Sequence, residues 1–444
     1  FMKIACLSLA QLYGEFVLGG SQKVLNDIIL GLRKNNIQVR VFCPKENFES
    51  NDSFIGDVKI EKILSLSGSF PSPFEIPLYD FQELEITLNK IARWADRIYL
   101  HGDGWILREQ FLDKPIISGI HDLIYQESVS SVFAFNSNKI IIPSEYLLRT
   151  IHSSIPEGKY KTKNLSVIPN AISKSTNNSI KTKNNSLILL FPHRPDPRKG
   201  INLALKIANE FTKTNLWKNV VLKVPKFNEE LDRDKKNSNI TSNKYKDEFI
   251  SNNGELYFHD WIPIEDMNDY YSSGDLTLCP GNFIESFGLV PLESVNNLTP
   301  SLCSAVGAFR DLRDIPGVES IPFGFAEDFV SKGLFLLKNK DKLISGKDMI
   351  QEKFSYTKMI KSYVEEFTNL DKNSNELEYL TTESGEYYLA PWCFISDQMI
   401  YHDYIGWISE TKNKISLNDS NKISIDDNII ELCLQKRILI PSIR

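Results

Sequence analysis

The chain has 444 residues, enough for about three domains at roughly 150 residues each. With 42% hydrophobic and 24% charged residues, its composition is that of a globular protein and excludes a disordered, collagen-like or mucin-like chain. A net charge of −6 argues against nucleic-acid binding, which needs basic surface to displace counterions.

Residues 3–10 form a short apolar run of the kind that makes a buried parallel strand. The start shows no signal-peptide pattern, and no stretch approaches the roughly 20 apolar residues of a membrane span. A cytoplasmic protein without a transmembrane segment is therefore expected. Cys6, Cys43, Cys279, Cys303, Cys393 and Cys433 have neither CxxC nor zinc-finger spacing and read as reduced core thiols. Gly19-Gly20-Ser21 then precedes Val24, Leu25, Ile28, Ile29 and Leu32 at helical spacing, and Asn36 ends that helix. Strands are expected at 39–42, 97–100, 115–119, 139–142 and 165–168, with helical patterns between several of them. This alternation predicts a mostly parallel sheet covered on both faces.

The run 173–186 is polar and reads as a linker or exposed loop. The alternation then restarts, with strands at 187–191, 220–224, 255–258 and 276–279 and helices at 201–211 and 264–273. Residues 226–253 are charged and read as a surface insertion. The fold class expected is α/β, with two Rossmann-like domains. The first spans 1–172 and the second 173–355. A helical segment, 356–372, follows, and 373–444 reads as a small appended α+β module.

Four places could carry chemistry. Gly19-Gly20 stands before a helix, where backbone N–H groups can approach an anion; the alternative is a plain turn. His193-Arg194-Pro195-Asp196-Pro197-Arg198-Lys199-Gly200 leaves a strand and opens a helix, so Arg194 and Lys199 could clamp a diphosphate or be solvated. Glu285-Ser286-Phe287-Gly288-Leu289 leads to Glu293; two carboxylates suit sugar hydroxyls, or lie on a helix surface. His121-Asp122 follows another strand and could position a substrate or be structural. The aromatics Trp105, Tyr125, Phe133 and Phe135 could stack on an acceptor but read better as core. Asp232-Arg233-Asp234 lies in the charged insertion and reads as surface, so no metal is expected.

Taken in order, Gly19-Gly20, His121-Asp122, Pro143-Ser144-Glu145, Val167-Ile168-Pro169-Asn170, Arg194…Lys199-Gly200 and Glu285-x7-Glu293 resemble the landmarks of the GT-B glycosyltransferases of family 4. The resemblance covers about residues 2–368. It implies two Rossmann-like domains facing each other across a cleft, with an acceptor domain first and a donor domain second. Residues 356–372 would cross back to the first domain. It also implies a retaining, metal-independent transfer of a hexose or hexosamine from a nucleotide-diphosphate sugar, UDP-sugars favoured, without a cofactor. His121, Glu285, Arg194 and Lys199 would be catalytic. Gly19, Gly20, Arg194, Lys199, Glu285, Ser286, Phe287, Gly288, Leu289 and Glu293 would bind the donor, with Glu293 at the ribose. The acceptor is left open as a soluble small molecule, glycan or peptide, and 373–444 as a contact for a partner protein. A sugar-nucleotide epimerase of the same fold and a non-catalytic sugar-nucleotide-binding partner are the alternatives. The chain departs from the family pattern at His193, where glycine is usual, at Ala171 and Ser173, and at Asn296-Asn297 after Glu293.

Overall fold

The computed structural model describes residues 1–14, 17, 19–45, 52–69, 72–75, 78–102, 111, 113–123, 126–134, 137–154, 158–160, 164–177, 179–180, 185–194, 196–226, 244–370, 378–380, 382–397, 399–409, 415–417, 423–425 and 427–443. Trp105, Tyr125, Phe135, Pro195 and the Asp232-Arg233-Asp234 run lie outside them. The chain divides into two compact units. One comprises Phe1–Ala171, Tyr356–Thr382 and Ile443–Arg444; the other comprises Ile172–Ser355 and Glu383–Ser442.

The first unit is built on an eight-stranded sheet. Its order is Leu165–Val167, Lys139–Ile142, Ile116–Gly119, Arg97–His101, Lys3–Ser8, Gln38–Pro44, Val58–Leu64 and Phe54–Ile55. All neighbours are parallel except the last pair. Ile4, Ala5, Cys6 and Leu7 are all buried, because a central parallel strand is covered on both faces. The helix Gly20–Lys34 buries Val24, Leu25, Ile28, Ile29 and Leu32 and places Arg33 and Lys34 in its last turn, where they suit the dipole. Asn36, at φ 59°, turns the chain out of the helix. Tyr356–Asn369 buries Met359, Ile360, Tyr363 and Phe367 in the same core as Val24 and Ile28. A Cβ on Gly31 would run into the Ile360 side chain, so the two helices touch closely there.

The second unit carries a six-stranded, wholly parallel sheet. Its order is Gly254–His259, Asn219–Pro225, Ser186–Leu190, Leu276–Cys279, Ser301–Ser304 and Val318–Ile321. In chain order this is 3-2-1-4-5-6, the doubly wound arrangement. The chain reverses direction of travel across the sheet between Ser186–Leu190 and Leu276–Cys279, the point at which doubly wound sheets form a crevice for ligands.

One segment differs from the sequence reading. The polar run after 173 is tied down where it is described. Ser175 is buried and its hydroxyl donates to Asn297 Oδ1 at 2.7 Å, and the Asn177 amide donates to Ser272 Oγ at 3.0 Å and Asn297 O at 3.1 Å. Its polarity serves hydrogen bonds to helix ends as well as solvent. Beyond 373, Glu383–Ser442 is compact with Ile172–Ser355. It holds a three-stranded antiparallel sheet, Cys393–Ser396, Met399–His402 and Gly406–Ile408, and the helix Asp427–Gln435. These share a core of Trp392, Ile400, Ile408, Ile429, Cys433 and Ile438. All six cysteines are buried and none forms a disulfide. Among the described residues, no helix is long and apolar enough to cross a membrane.

Candidate active site

The second unit gathers Arg194, Lys199, Glu285 and Glu293 around the reversal point of its sheet. After Ser186–Leu190 the chain passes His193, whose Nε2–H donates to Leu278 O at 3.0 Å. The carbonyl can only accept, so that nitrogen carries the proton. Buried His193 thus ties together the ends of the two strands that flank the crevice, a structural use for the departure from glycine. A short 3₁₀ turn, Pro197–Lys199, follows, capped by the Asp196 carboxylate accepting from the Arg198 N–H at 2.9 Å.

Gly200 then starts the helix Ile201–Lys213 at φ 86°, a conformation that favours glycine. A Cβ on it would stand 2.7 Å from Gly281 Cα, so the two loops at the crevice meet backbone to backbone. Phe283 N–H donates to Arg198 O at 3.0 Å across the same junction. This packing brings Lys199 Nζ to 2.5 Å from Glu285 Oε1, a charge-assisted hydrogen bond between side chains only 14% and 19% exposed. Phe283 was not singled out by the sequence. Lys199 Nζ stands 3.6 Å from its ring centroid, the Arg198 guanidinium 4.9 Å and that of Arg194 6.0 Å. One aromatic ring therefore gathers three cations around it. Arg194 also approaches Asp196 at 3.8 Å.

Beyond Glu285, Ser286 is half-buried and Phe287 is buried against Phe354. Gly288 precedes the helix Leu289–Asn296, whose first N–H groups lack intrahelical partners and can meet an anion. One turn further on, Glu293 accepts from the Tyr271 hydroxyl at 3.0 Å. Burial, and next the Glu293 charge, push the Tyr271 phenol well above its ordinary range, so it stays a donor. Asn296 and Asn297 serve the segment that enters the unit: the Asn296 amide donates to Ser173 O at 2.8 Å, and Asn297 accepts from Ser175.

Gly19, Gly20 and His121 belong to the first unit. Gly19 is extended, and a Cβ there would meet nothing, so the chain's own packing does not require a glycine. His121 is buried after the strand Ile116–Gly119, its ring centroid 4.4 Å from that of His101, at the end of the neighbouring strand. His101, a residue the sequence reading passed over, contacts Ser21 Oγ at 2.9 Å and Ser21 O at 3.0 Å. It anchors the first turn of the helix that Gly20 opens. Burial lowers His121 to about 4 and holds His101, further depressed by His121, well below the usual histidine range. Both rings are neutral near pH 7. Among the described residues no three His, Cys, Asp or Glu side chains come together as a metal cluster.

Residues 173–314 match the family model described as glycosyl transferases group 1. No curated protein matches the chain. Among solved structures, the chain resembles a sucrose-phosphate synthase from Thermosynechococcus elongatus, with 15% identity and a TM-score of 0.62 over 83% of this chain and 99% of that one. It resembles HepE from Anabaena in complex with UDP-glucose, with 14% identity and a TM-score of 0.61 over 83% of this chain and 100% of that one. A glycosyltransferase from Rickettsia africae gives 11% identity and a TM-score of 0.60 over 84% of this chain and 99% of that one. These likenesses show the GT-B fold, with two Rossmann-like units. With residues 173–314 matched to glycosyl transferases group 1, the enzyme is a glycosyltransferase.

Proposed function

We propose that the protein moves a hexose or hexosamine from a nucleotide-diphosphate sugar, a UDP-sugar by preference, to an acceptor hydroxyl, with retention and without a metal, as a family 4 enzyme would. The observation that carries this reading is the Lys199–Glu285 pair at the reversal point of the 3-2-1-4-5-6 sheet, beside a helix N-terminus. Open α/β sheets bind ligands at that point. HepE, 14% identical, binds UDP-glucose.

Breaking the anomeric C–O bond leaves negative charge on the diphosphate. In this reading Lys199 turns from Glu285 to the diphosphate, Arg194 adds its planar fork, and the N–H groups of Phe287, Gly288 and Leu289 donate hydrogen bonds to the remaining charge. The backbone N–H groups are fixed donors that need no reorganisation at the moment of reaction. Glu285, released from Lys199, accepts hydrogen bonds from hydroxyls of the transferred sugar, with Ser286 beside it. Glu293, held by Tyr271, accepts from the ribose. Gly19 and Gly20 are assigned to the donor phosphates and His121 to the reacting sugar. A cytoplasmic setting fits the use of a nucleotide sugar and six reduced cysteines.

A thermal-shift panel of nucleoside diphosphates and nucleotide sugars tests the assignment. A ligand that binds only the folded state raises the melting temperature by mass action, about 2.7 kcal/mol of stabilisation at a hundred times Kd. UDP and a UDP-sugar are expected to raise it above other nucleotides. An unshifted melt with every nucleotide contradicts the reading. Measuring transfer against net epimer formation separates the enzyme from an epimerase.

A further inference from the structure

We propose that the Glu383–Ser442 segment braces the donor site and that Asp403 is a positioning residue for Glu285. This rests on the reading of Glu285 as a donor-binding carboxylate. The brace starts at Gly307, the first residue of the 3₁₀ stretch Gly307–Asp314. Gly307 adopts φ 59°, and a Cβ on it would run into the Glu285 backbone. The next residue, Ala308, donates its N–H to Glu285 O at 2.7 Å. The main chain that carries Glu285 is thus seated on Gly307 and Ala308.

Asp403 holds that seat from the other side. Its side chain is fully buried. One oxygen, Oδ2, accepts from the Gly307 N–H at 3.3 Å, and the other, Oδ1, pairs with the Arg310 guanidinium. Arg310 spends its other donors on Ala305 O at 3.0 Å and Pro391 O at 2.7 Å. A single carboxylate therefore ties both Gly307 and Arg310 to the C-terminal segment.

Docking alone would not need this carboxylate. The segment also grips the unit through Trp407, whose Nε1–H donates to Phe323 O at 3.1 Å and whose ring meets Phe325 edge-on at 5.6 Å. Tyr401 packs on Phe323 at 5.6 Å. With that apolar contact in place, the buried Asp403 adds direction. It fixes the Gly307 amide, hence the Ala308 amide, hence the height at which Glu285 meets Lys199. Small displacements at such a position lower turnover more than binding, since near-attack geometry is what is lost.

Asp403→Asn in the full-length chain tests this, because asparagine keeps the shape and loses the charge and one acceptor. Turnover of UDP-glucose is expected to fall at least tenfold, with the Kd for UDP within threefold of wild type. Amide exchange at Gly307 and Ala308 should quicken at least tenfold. Glu431→Gln, an exposed change on the same segment, should leave all three unaltered. Should Asp403→Asn fail to fold, the double variant Arg310→Met with Asp403→Leu replaces the pair by apolar side chains and takes the same measurements. Unaltered exchange at Ala308, or turnover within twofold of wild type, overturns the proposal. If the wild type turns over no UDP-sugar, the donor reading fails on its own, and the exchange data still decide the brace.

Discussion

Lys199 Nζ lies 2.5 Å from Glu285 Oε1, so the cation and the carboxylate assigned to adjoining parts of one donor neutralise each other. The pair keeps two mostly buried charges compatible with a folded site. Leaving one of them alone would cost several kcal/mol. In the proposed reading donor binding parts them, with the diphosphate taking Lys199 and the sugar hydroxyls taking Glu285. Glu285→Gln should therefore leave UDP affinity undiminished or raise it, by freeing Lys199, while lowering turnover by about 10²-fold, the scale of a lost transition-state contact. Calorimetric titration beside a kcat measurement reads the split. Equal losses in both would remove the distinction.

Arg194 approaches Asp196 at 3.8 Å and the Phe283 ring centroid at 6.0 Å. Arg194→Ala should lower turnover by about 10²–10³-fold. Near-normal turnover would mean that the diphosphate lies elsewhere.

Glu293 is oriented by Tyr271 at 3.0 Å. Glu293→Ala should weaken UDP binding by about tenfold or more, since a lost hydrogen bond to a charged group is worth about 1.5–3 kcal/mol. Tyr271→Phe should weaken it less, through misorientation alone. Wild-type affinity in Glu293→Ala would withdraw the ribose assignment.

His101 and His121 should make the first unit acid-sensitive. Burial lowers His121 to about 4 and His101 well below its ordinary 6.5, whereas both return to about 6.5 on unfolding. Between pH 6.5 and 4 the unfolded chain binds more protons, so stability falls as pH falls. The slope reaches about 1.4 kcal/mol per pH unit for each histidine. Melting of the first unit, followed by amide exchange in Lys3–Ser8, should drop from pH 7 to pH 5 and drop less in His121→Phe. The same slope in that variant would show that the ring is not the sensor.

Chelation tests the leaving-group chemistry. With Arg194, Lys199 and helix N–H groups as the cationic and dipolar partners, activity in EDTA should remain within twofold of the untreated enzyme. Full loss on chelation, restored by magnesium or manganese, would move the leaving-group charge onto a metal.

Much of the second unit was legible in the sequence because continuous apolar runs such as Leu187–Phe191 can only be buried strands there, and because charged residues after a strand end point to the ligand edge. Phe283 was not legible. Its role is to sit under Lys199, Arg198 and Arg194, which lie 84 or more residues earlier in the chain, and no local pattern encodes that meeting. His101 was missed because it closes an apolar strand and pairs across the sheet with a residue 20 positions away. The linker residues Ser175 and Asn177 looked solvated, since polarity alone does not tell a water partner from Asn297. Past 373, the antiparallel strands carried too short a pattern to reveal that Asp403 reaches Arg310. Such long-range pairing is set by packing, which periodicity does not record.

The central claim is that Lys199, at the reversal point of the second sheet, binds the donor diphosphate. Calorimetric titration of UDP against the wild type and against Lys199→Ala addresses it most directly. The account predicts that UDP binds the wild type and that the variant's Kd rises at least tenfold, with uridine, which lacks the phosphates, binding weakly and alike to both. A variant that binds UDP as tightly as the wild type, or a loss equal for UDP and uridine, would contradict it.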